Sequence, residues 1–313
     1  MYRSAAPSPE SPAPRHEVRI PVPGTGLELA GWHYPGVDGS CVVMAGGFAV
    51  TKEPATDLFA ARLHAAGHGV VAFDYRRLGA SDGVPRQIVR VREQLADWQA
   101  VLDFAAGLPG VDPARIAVWG FSASGGHVFN VAARNPRLAA AIAQTPNAGG
   151  LAATRAAMRY QSPGASLRLT VRGIRDAIGG LFGRAPLLVP LGGARGEVAV
   201  LTTPDVADAQ RALDPERRHD ESWLQQVAAR SVLRLVTYRP GRAARRVECP
   251  LLVMVCDDDK SAYPPAAAAA AHRAPRGELV RLSGGHYAPF LAVHEEAVAA
   301  QLGFLERHLH HGQ

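Results

Sequence analysis

Short runs that are apolar throughout recur along this chain, and they limit its fold more than any other feature. Cys41-Val-Val-Met-Ala45, Val70-Val-Ala-Phe73, Ile116-Ala-Val-Trp119, the run from Leu138 to Ala143 and Leu251-Leu-Val-Met-Val255 contain no polar residue. A strand with one face in water alternates apolar and polar side chains, whereas a strand covered on both faces need not. Segments with helical spacing lie between these runs. They are 51–66 (Leu58, Phe59 and Leu63 on one side, ending at Gly67), 88–106 (ending near Gly107) and 126–134 (ended by Asn135-Pro136). Upstream, Arg15 to Val22 and Leu27 to Tyr34 read as two strands around a Pro23-Gly-Thr-Gly26 turn. The alternation predicts an α/β fold with a mostly parallel central sheet and helices on both faces.

The alternation breaks over residues 147–246. Segments 151–160, 167–178 and 221–238 have helical character, and no strand stands out among the Arg-rich and Pro/Gly-rich stretches. It resumes with the Leu251 strand, a helix over 265–273, a strand over 278–282 and a closing helix over 289–308. This divides the chain into an α/β core, 16–146 and 247–313, and an insertion, 147–246. The insertion is expected to form a helical cap over the C-terminal strand edge, where open sheets of this type place their sites. The alternative is a bundle away from the site. Residues 1–15, rich in Pro, Ser and Ala and without an apolar core segment, read as a flexible tail and not as a signal peptide.

Composition removes several function classes. No apolar run approaches the ~20 residues of a membrane span, so no membrane partner is expected. The net charge of +6 comes mostly from arginines spread along the chain, with no nucleic-acid-binding module beside them. Three cysteines, Cys41, Cys249 and Cys256, are too few and too scattered for a disulfide framework, and they fit a reducing cytoplasm. No CxxC metal pattern is present, and no ordered carboxylate or cysteine partner is evident for the terminal His308, His310 and His311.

The chemistry centres on Ile116-Ala-Val-Trp-Gly-Phe-Ser-Ala-Ser-Gly-Gly126. An apolar strand leads into a sharp turn at Ser122, and small residues two before and two after it, Gly120 and Ser124, let strand and helix pass close together. Such an elbow lifts a serine oxygen above the sheet edge and points a helix N-terminus at developing negative charge. Glycine is usual at both flanking positions, so Ser124 is a departure. A nucleophilic serine needs a base, and the base an orienting acid, following in the order Ser, Asp or Glu, His. Asp257-Asp-Asp259 follows the Leu251 strand, and Ser283-Gly-Gly-His-Tyr287 follows the last strand. His286 is the expected base. Asp259 is the preferred acid, three residues after the small Cys256, with Asp257 as the alternative. The backbone N–H groups of Ala123 and of Phe48, in the Gly46-Gly47-Phe48 loop, are the expected oxyanion donors. Gly47, Phe121 and Tyr287 are expected to touch substrate.

With these motifs the chain resembles the α/β-hydrolase superfamily over residues 16–146 and 247–313, with the insertion in the cap position. It is most similar to bacterial serine hydrolases of the esterase or dienelactone-hydrolase type, which have segments like Gly120 to His127 and Phe73 to Gly83. That family usually carries His-Gly before the oxyanion residue; here the pair is Gly46-Gly47. The resemblance implies a cytoplasmic serine hydrolase that cleaves a small-molecule ester through an acyl-enzyme, without a cofactor. The alternatives are a thioesterase or tailoring cyclase with the same triad, or a non-catalytic ligand-binding protein on the same fold. In the insertion, Leu181, Phe182, Leu187 and Leu188 point to an apolar group in the substrate. Arg155, Arg159, Arg168, Arg172 and Arg175 read first as a solvated helix face and second as a carboxylate site.

Overall fold

In the computed structural model, which describes residues 14–309 apart from 220 and 222, the apolar runs are the inner strands of one sheet. Its strands are β1 (His16–Val22), β2 (Leu27–Tyr34), β3 (Cys41–Ala45), β4 (Gly69–Phe73), β5 (Ile116–Phe121), β6 (Ala140–Gln144), β9 (Leu251–Cys256) and β10 (Gly277–Leu282). β7 (Leu188–Pro190) and β8 (Gln226–Ala228) form a separate two-stranded ladder. The main sheet runs in the order β1-β2-β4-β3-β5-β6-β9-β10, antiparallel at β1/β2 and β2/β4 and parallel from there on.

Successive residues of the inner strands enter opposite cores, which is why the runs need no polar positions. Val43, Val118 and Val253 face a core that includes Trp98 and Val101 of α3 (Val91–Ala106), Val128 of α4 (Ala123–Ala132) and Ala270 of α9 (Pro264–Arg273). Met44, Trp119 and Met254 face the other core, with Phe59 and Leu63 of α2 (Asp57–Ala65) and Phe304 and Leu305 of α10 (His294–Leu309). Each fully buried side chain of this size contributes about 1.5–3 kcal/mol, so both faces must stay covered.

Three boundaries differ from the sequence expectation. The helix predicted over 51–66 is split into α1 (Lys52–Ala55) and α2, because Glu53, which precedes Pro54, has extended backbone (φ −97°, ψ 130°). The closing helix begins at His294 after a single turn at Ala288–Phe290. Residues 1–13 of the predicted tail lie outside the described residues, while Arg15 is anchored: its guanidinium bonds Asp57 at 2.9 Å and the Tyr34 hydroxyl at 3.1 Å.

The segment between β6 and β9 contains α5 (Gly150–Ala157), α6 (Pro163–Leu181), α7 (Val206–Leu213) and α8 (Ala229–Leu235). It is not free of strands, as the sequence reading held. β7 and β8 pair antiparallel, with Val189 opposite Val227, and Gly192 bridges Leu201. Three-residue strands, one ending in Pro190, are too short to show a period. The helix predicted over 221–238 is correspondingly reduced to α8, since Gln226–Ala228 is taken up by the ladder.

Candidate active site

Three parallel strands deliver the predicted residues to one edge of the sheet. Ser122 stands between β5 and α4 with φ 54° and ψ −114°, a strained backbone for a residue with a side chain. Its N–H donates to the Gln144 carbonyl and its own carbonyl accepts from Gly126 and Asn147, each at 3.0 Å, which hold the turn against that strain. The small residues around it are required by contact. A Cβ on Gly120 would lie 2.5 Å from the Ser124 carbonyl oxygen, and one on Gly126 2.5 Å from that of Asn147.

His286 Nε2 is 3.0 Å from Ser122 Oγ, and His286 Nδ1 is 2.7 Å from Asp259 Oδ2. The second oxygen of Asp259 accepts the backbone N–H groups of Ser261 and Ala262, both at 2.8 Å. His286 and Asp259 are buried, and the Phe121 ring lies 5.1 Å from the imidazole. Asp257, the alternative acid, is instead exposed and paired with Arg281. Burial by itself would lower the pKa of His286. Asp259, through charge and hydrogen bond, and the charge of Asp205 outweigh it, and the net direction is upward.

The loop after β3 passes directly over the elbow: a Cβ on Gly47 would lie 3.3 Å from the Cβ of Ser122. Among the described residues, no acceptor takes the N–H of Phe48 or of Ala123. The absent His-Gly pair has a replacement that the sequence reading did not assign. Ser124 Oγ donates to the Gly46 carbonyl, so the residue that departs from the usual elbow pattern is the one that anchors this loop.

Ser122 opens into a cavity of about 370 Å3, which Gly47, Phe48, Phe121 and Tyr287 also line. Its remaining wall comes largely from the insertion: Leu191, Val200, Leu201, Val206, Ala209, Trp223 and Leu224, with Gln210, Gln225 and Gln226 as polar groups. Among the described residues, no charged side chain lines it. Leu181, Phe182, Leu187 and Leu188 are not part of this wall, and Leu181 and Phe182 are exposed. Arg155, Arg159, Arg168, Arg172 and Arg175 are exposed and absent from the wall, which leaves the solvated-face reading in place.

Asp205 was missed. It is buried beside His286, whose backbone N–H it accepts at 3.2 Å, and it arrives from the insertion. His127, by contrast, serves the core. It is fully buried between the Tyr238 hydroxyl, which donates to Nδ1 at 2.8 Å, and Gln94 Oε1, which accepts from Nε2 at 2.9 Å. Among the described residues, no group of three or more His, Cys, Asp or Glu side chains could hold a metal ion, and no helix is long and apolar enough to cross a membrane. His308 pairs with Glu278, while His310 and His311 lie outside the described residues.

A mostly parallel sheet that carries a serine elbow between β5 and α4, with Asp and His after later strand ends, defines the class of a hydrolase. The chain belongs to the alpha/beta hydrolase family, whose pattern matches residues 22–301. It is 36% identical over 267 residues to the quorum-quenching protein AidA of Acinetobacter baumannii, covering 85% of this chain and 86% of that one. It is 30% identical over 250 residues to the polyketide transferase ATR5 of Stachybotrys chlorohalonatus, covering 76% and 78%. Among solved structures, the α/β hydrolase GrgF from Penicillium sp. sh18 superposes with a TM-score of 0.79 at 23% identity, covering 95% of this chain and 99% of that one.

Proposed function

We propose that this protein hydrolyses a carboxylic ester of a small, uncharged, largely apolar molecule through an acyl-enzyme. The observation that carries this reading is the hydrogen-bonded chain Ser122–His286–Asp259, whose serine opens into a cavity with no charged side chain among the described residues of its wall. Ser122 Oγ attacks the carbonyl carbon while its proton passes to His286 Nε2. Asp259 holds the Nδ1–H tautomer and stabilises the imidazolium that forms. The N–H groups of Phe48 and Ala123 receive the charge on the carbonyl oxygen. His286 then protonates the leaving alcohol, and a water deprotonated by the same nitrogen releases the acid and regenerates Ser122. The site needs no metal or cofactor for these steps. The insertion acts as a cap that encloses the acyl part of the substrate, and a relative named for quorum quenching favours a small signalling molecule as that substrate.

A second reading, acyl transfer from a thioester, uses the same three residues and is favoured by the relative named as a polyketide transferase. Intact mass after exposure to a fluorophosphonate tests the shared chemistry. The expected result is one adduct on the wild type and none on Ser122→Ala, and a matched panel of esters, lactones and thioesters then separates the two substrates. A folded wild-type protein that takes no adduct would overturn both and leave a ligand-binding role on this fold.

A further inference from the structure

We propose that Asp205 is a positioning residue for His286: a carboxylate carried by the insertion that holds the histidine loop and the acid loop together, so that the triad is complete only with the insertion seated on the sheet edge. The inference rests on the serine-hydrolase reading above.

Asp205 Oδ1 accepts the backbone N–H of His286 at 3.2 Å. Its Oδ2 accepts the backbone N–H of Lys260 at 2.9 Å and the Ser261 hydroxyl at 2.8 Å. Ser261 therefore joins the two acids, giving its N–H to Asp259 and its O–H to Asp205. Because that hydroxyl has one proton, the 2.7 Å contact between Ser261 Oγ and Thr203 must be a bond donated by Thr203, a second tie from the insertion.

Two features show that the chain is arranged around this carboxylate. Asp205 is the residue before α7, where an aspartate normally caps its own helix, yet it makes no capping bond and turns outward to the triad loops. Gly285 leaves the space it occupies, since a Cβ there would lie 2.5 Å from Asp205 Oδ1. The same helix presents Val206, Ala209 and Gln210 to the cavity, so one rigid element touches both the substrate space and the loop of the base.

The charges around His286 give the proposal a signature. Facing the imidazole or its loop are Asp259 at Nδ1, Ser122 at Nε2 and Asp205 behind the backbone. The Tyr287 phenol is held neutral by burial and by the two carboxylates, and burial pushes the Cys256 thiol up to about 12. Lys260 directs its ammonium to Asp258 at the surface. Among the described residues, no Lys or Arg side chain bonds Asp205, so its negative charge favours the imidazolium that forms during turnover.

The test compares wild type, Asp205→Asn, Asp205→Glu and Ser122→Ala in the full chain, with a short p-nitrophenyl ester across pH. For D205N, kcat should fall about 10- to 100-fold with a much smaller change in KM, as for a base displaced by a fraction of an ångström. The acid limb of kcat/KM should move to lower pH. D205E keeps the charge, so its acid limb should stay near that of the wild type while kcat remains low. Wild-type kcat and pH profile in a folded D205N, or a loss of kcat with an unmoved acid limb, would overturn the proposal. Should D205N not fold, Gly285→Ala displaces the same carboxylate, and unaltered kcat in that variant would overturn it too. Turnover retained by Ser122→Ala is a different outcome, which removes the serine-hydrolase reading instead.

Discussion

Ser124 donates its hydroxyl to the carbonyl of Gly46, tying the first turn of α4 to the loop that follows β3. The bond is the end of a directed chain. Trp98 Nε1 donates to the Tyr75 hydroxyl at 2.8 Å, Tyr75 donates to Ser124 Oγ at 2.6 Å, and Ser124 spends its one proton on Gly46. All of these side chains are buried, so each link lacks a competing water. Phe48, the expected oxyanion donor, lies two residues beyond the anchored carbonyl.

Ser124→Ala should therefore damage both stability and rate. It strands the Gly46 carbonyl in the core and leaves the Tyr75 O–H, which still accepts from Trp98, without an acceptor, at a cost of about 1–3 kcal/mol, to be read by urea unfolding. The loosened loop should lower kcat about tenfold with little change in KM, short of the ~100-fold or more that follows loss of a donor itself. Full kcat in S124A would show that the loop is rigid without this bond.

The pH dependence follows from His286. Its pKa lies above 6.5, because Asp259 and Asp205 outweigh the burial that would lower it. Only the neutral imidazole accepts the serine proton, so the acid limb of kcat/KM should have its midpoint above the ordinary histidine value. For stability the sign is opposite. The folded state binds this proton more tightly than the unfolded chain, so the contribution is full below 6.5 and is lost as pH rises through the raised value. Asp259→Asn should move the midpoint toward acid and lower kcat by about 10^4, as expected when the imidazole loses its tautomer partner.

His127 supplies the reverse effect. Burial pushes its pKa down to about 3, and its two hydrogen bonds require the neutral ring. The unfolded chain takes up this proton near pH 6.5 and the folded one does not, so stability is full above 6.5 and is lost as pH falls toward 3. The slope for this one proton is about 1.4 kcal/mol per pH unit. Urea midpoints between pH 7 and pH 5 should fall less steeply in His127→Gln than in the wild type, even though the variant starts from lower stability. Equal slopes would place the acid sensitivity elsewhere.

What could be read from the sequence tracks how local each signal is. Ser122, Asp259 and His286 follow the strands β5, β9 and β10 by one, three and four residues, so their common edge was visible from the order of strands alone. Asp205 follows Thr203-Pro204 and reads only as the start of a helix. Its partners lie 55 and 81 residues further on, and no pattern in the chain announces that pairing. Ser124 read as a tolerated small residue because its acceptor, Gly46, is 78 residues away. The segment between β6 and β9 is legible as an interruption of the alternation, but β7 and β8 are not, since 3 residues each give no period. The cavity wall likewise comes from Leu191, Val206 and Trp223, brought together by that ladder and α7, and not from the apolar cluster at 181–188.

Substrate length should thus be set from α7. Ala209 lines the cavity one helical turn beyond Asp205, and the described part of the wall that the insertion supplies is apolar apart from three glutamines. Ala209→Phe places a ring in the space available to the acyl chain without adding charge. The expected outcome is a change of profile over a series of acyl lengths, with kcat/KM falling most for the longest chains. Each methylene that no longer fits should cost about tenfold or more, because it is left in water or forces the carbonyl away from Ser122. The acetyl ester should lose least, since its acyl group need not extend past Phe121 and Tyr287, which line the cavity beside Ser122. A uniform loss across the series would mean that the acyl chain lies elsewhere and that α7 faces the leaving group. Repeating the series with varied alcohols and a fixed acetyl group would then show the length dependence instead.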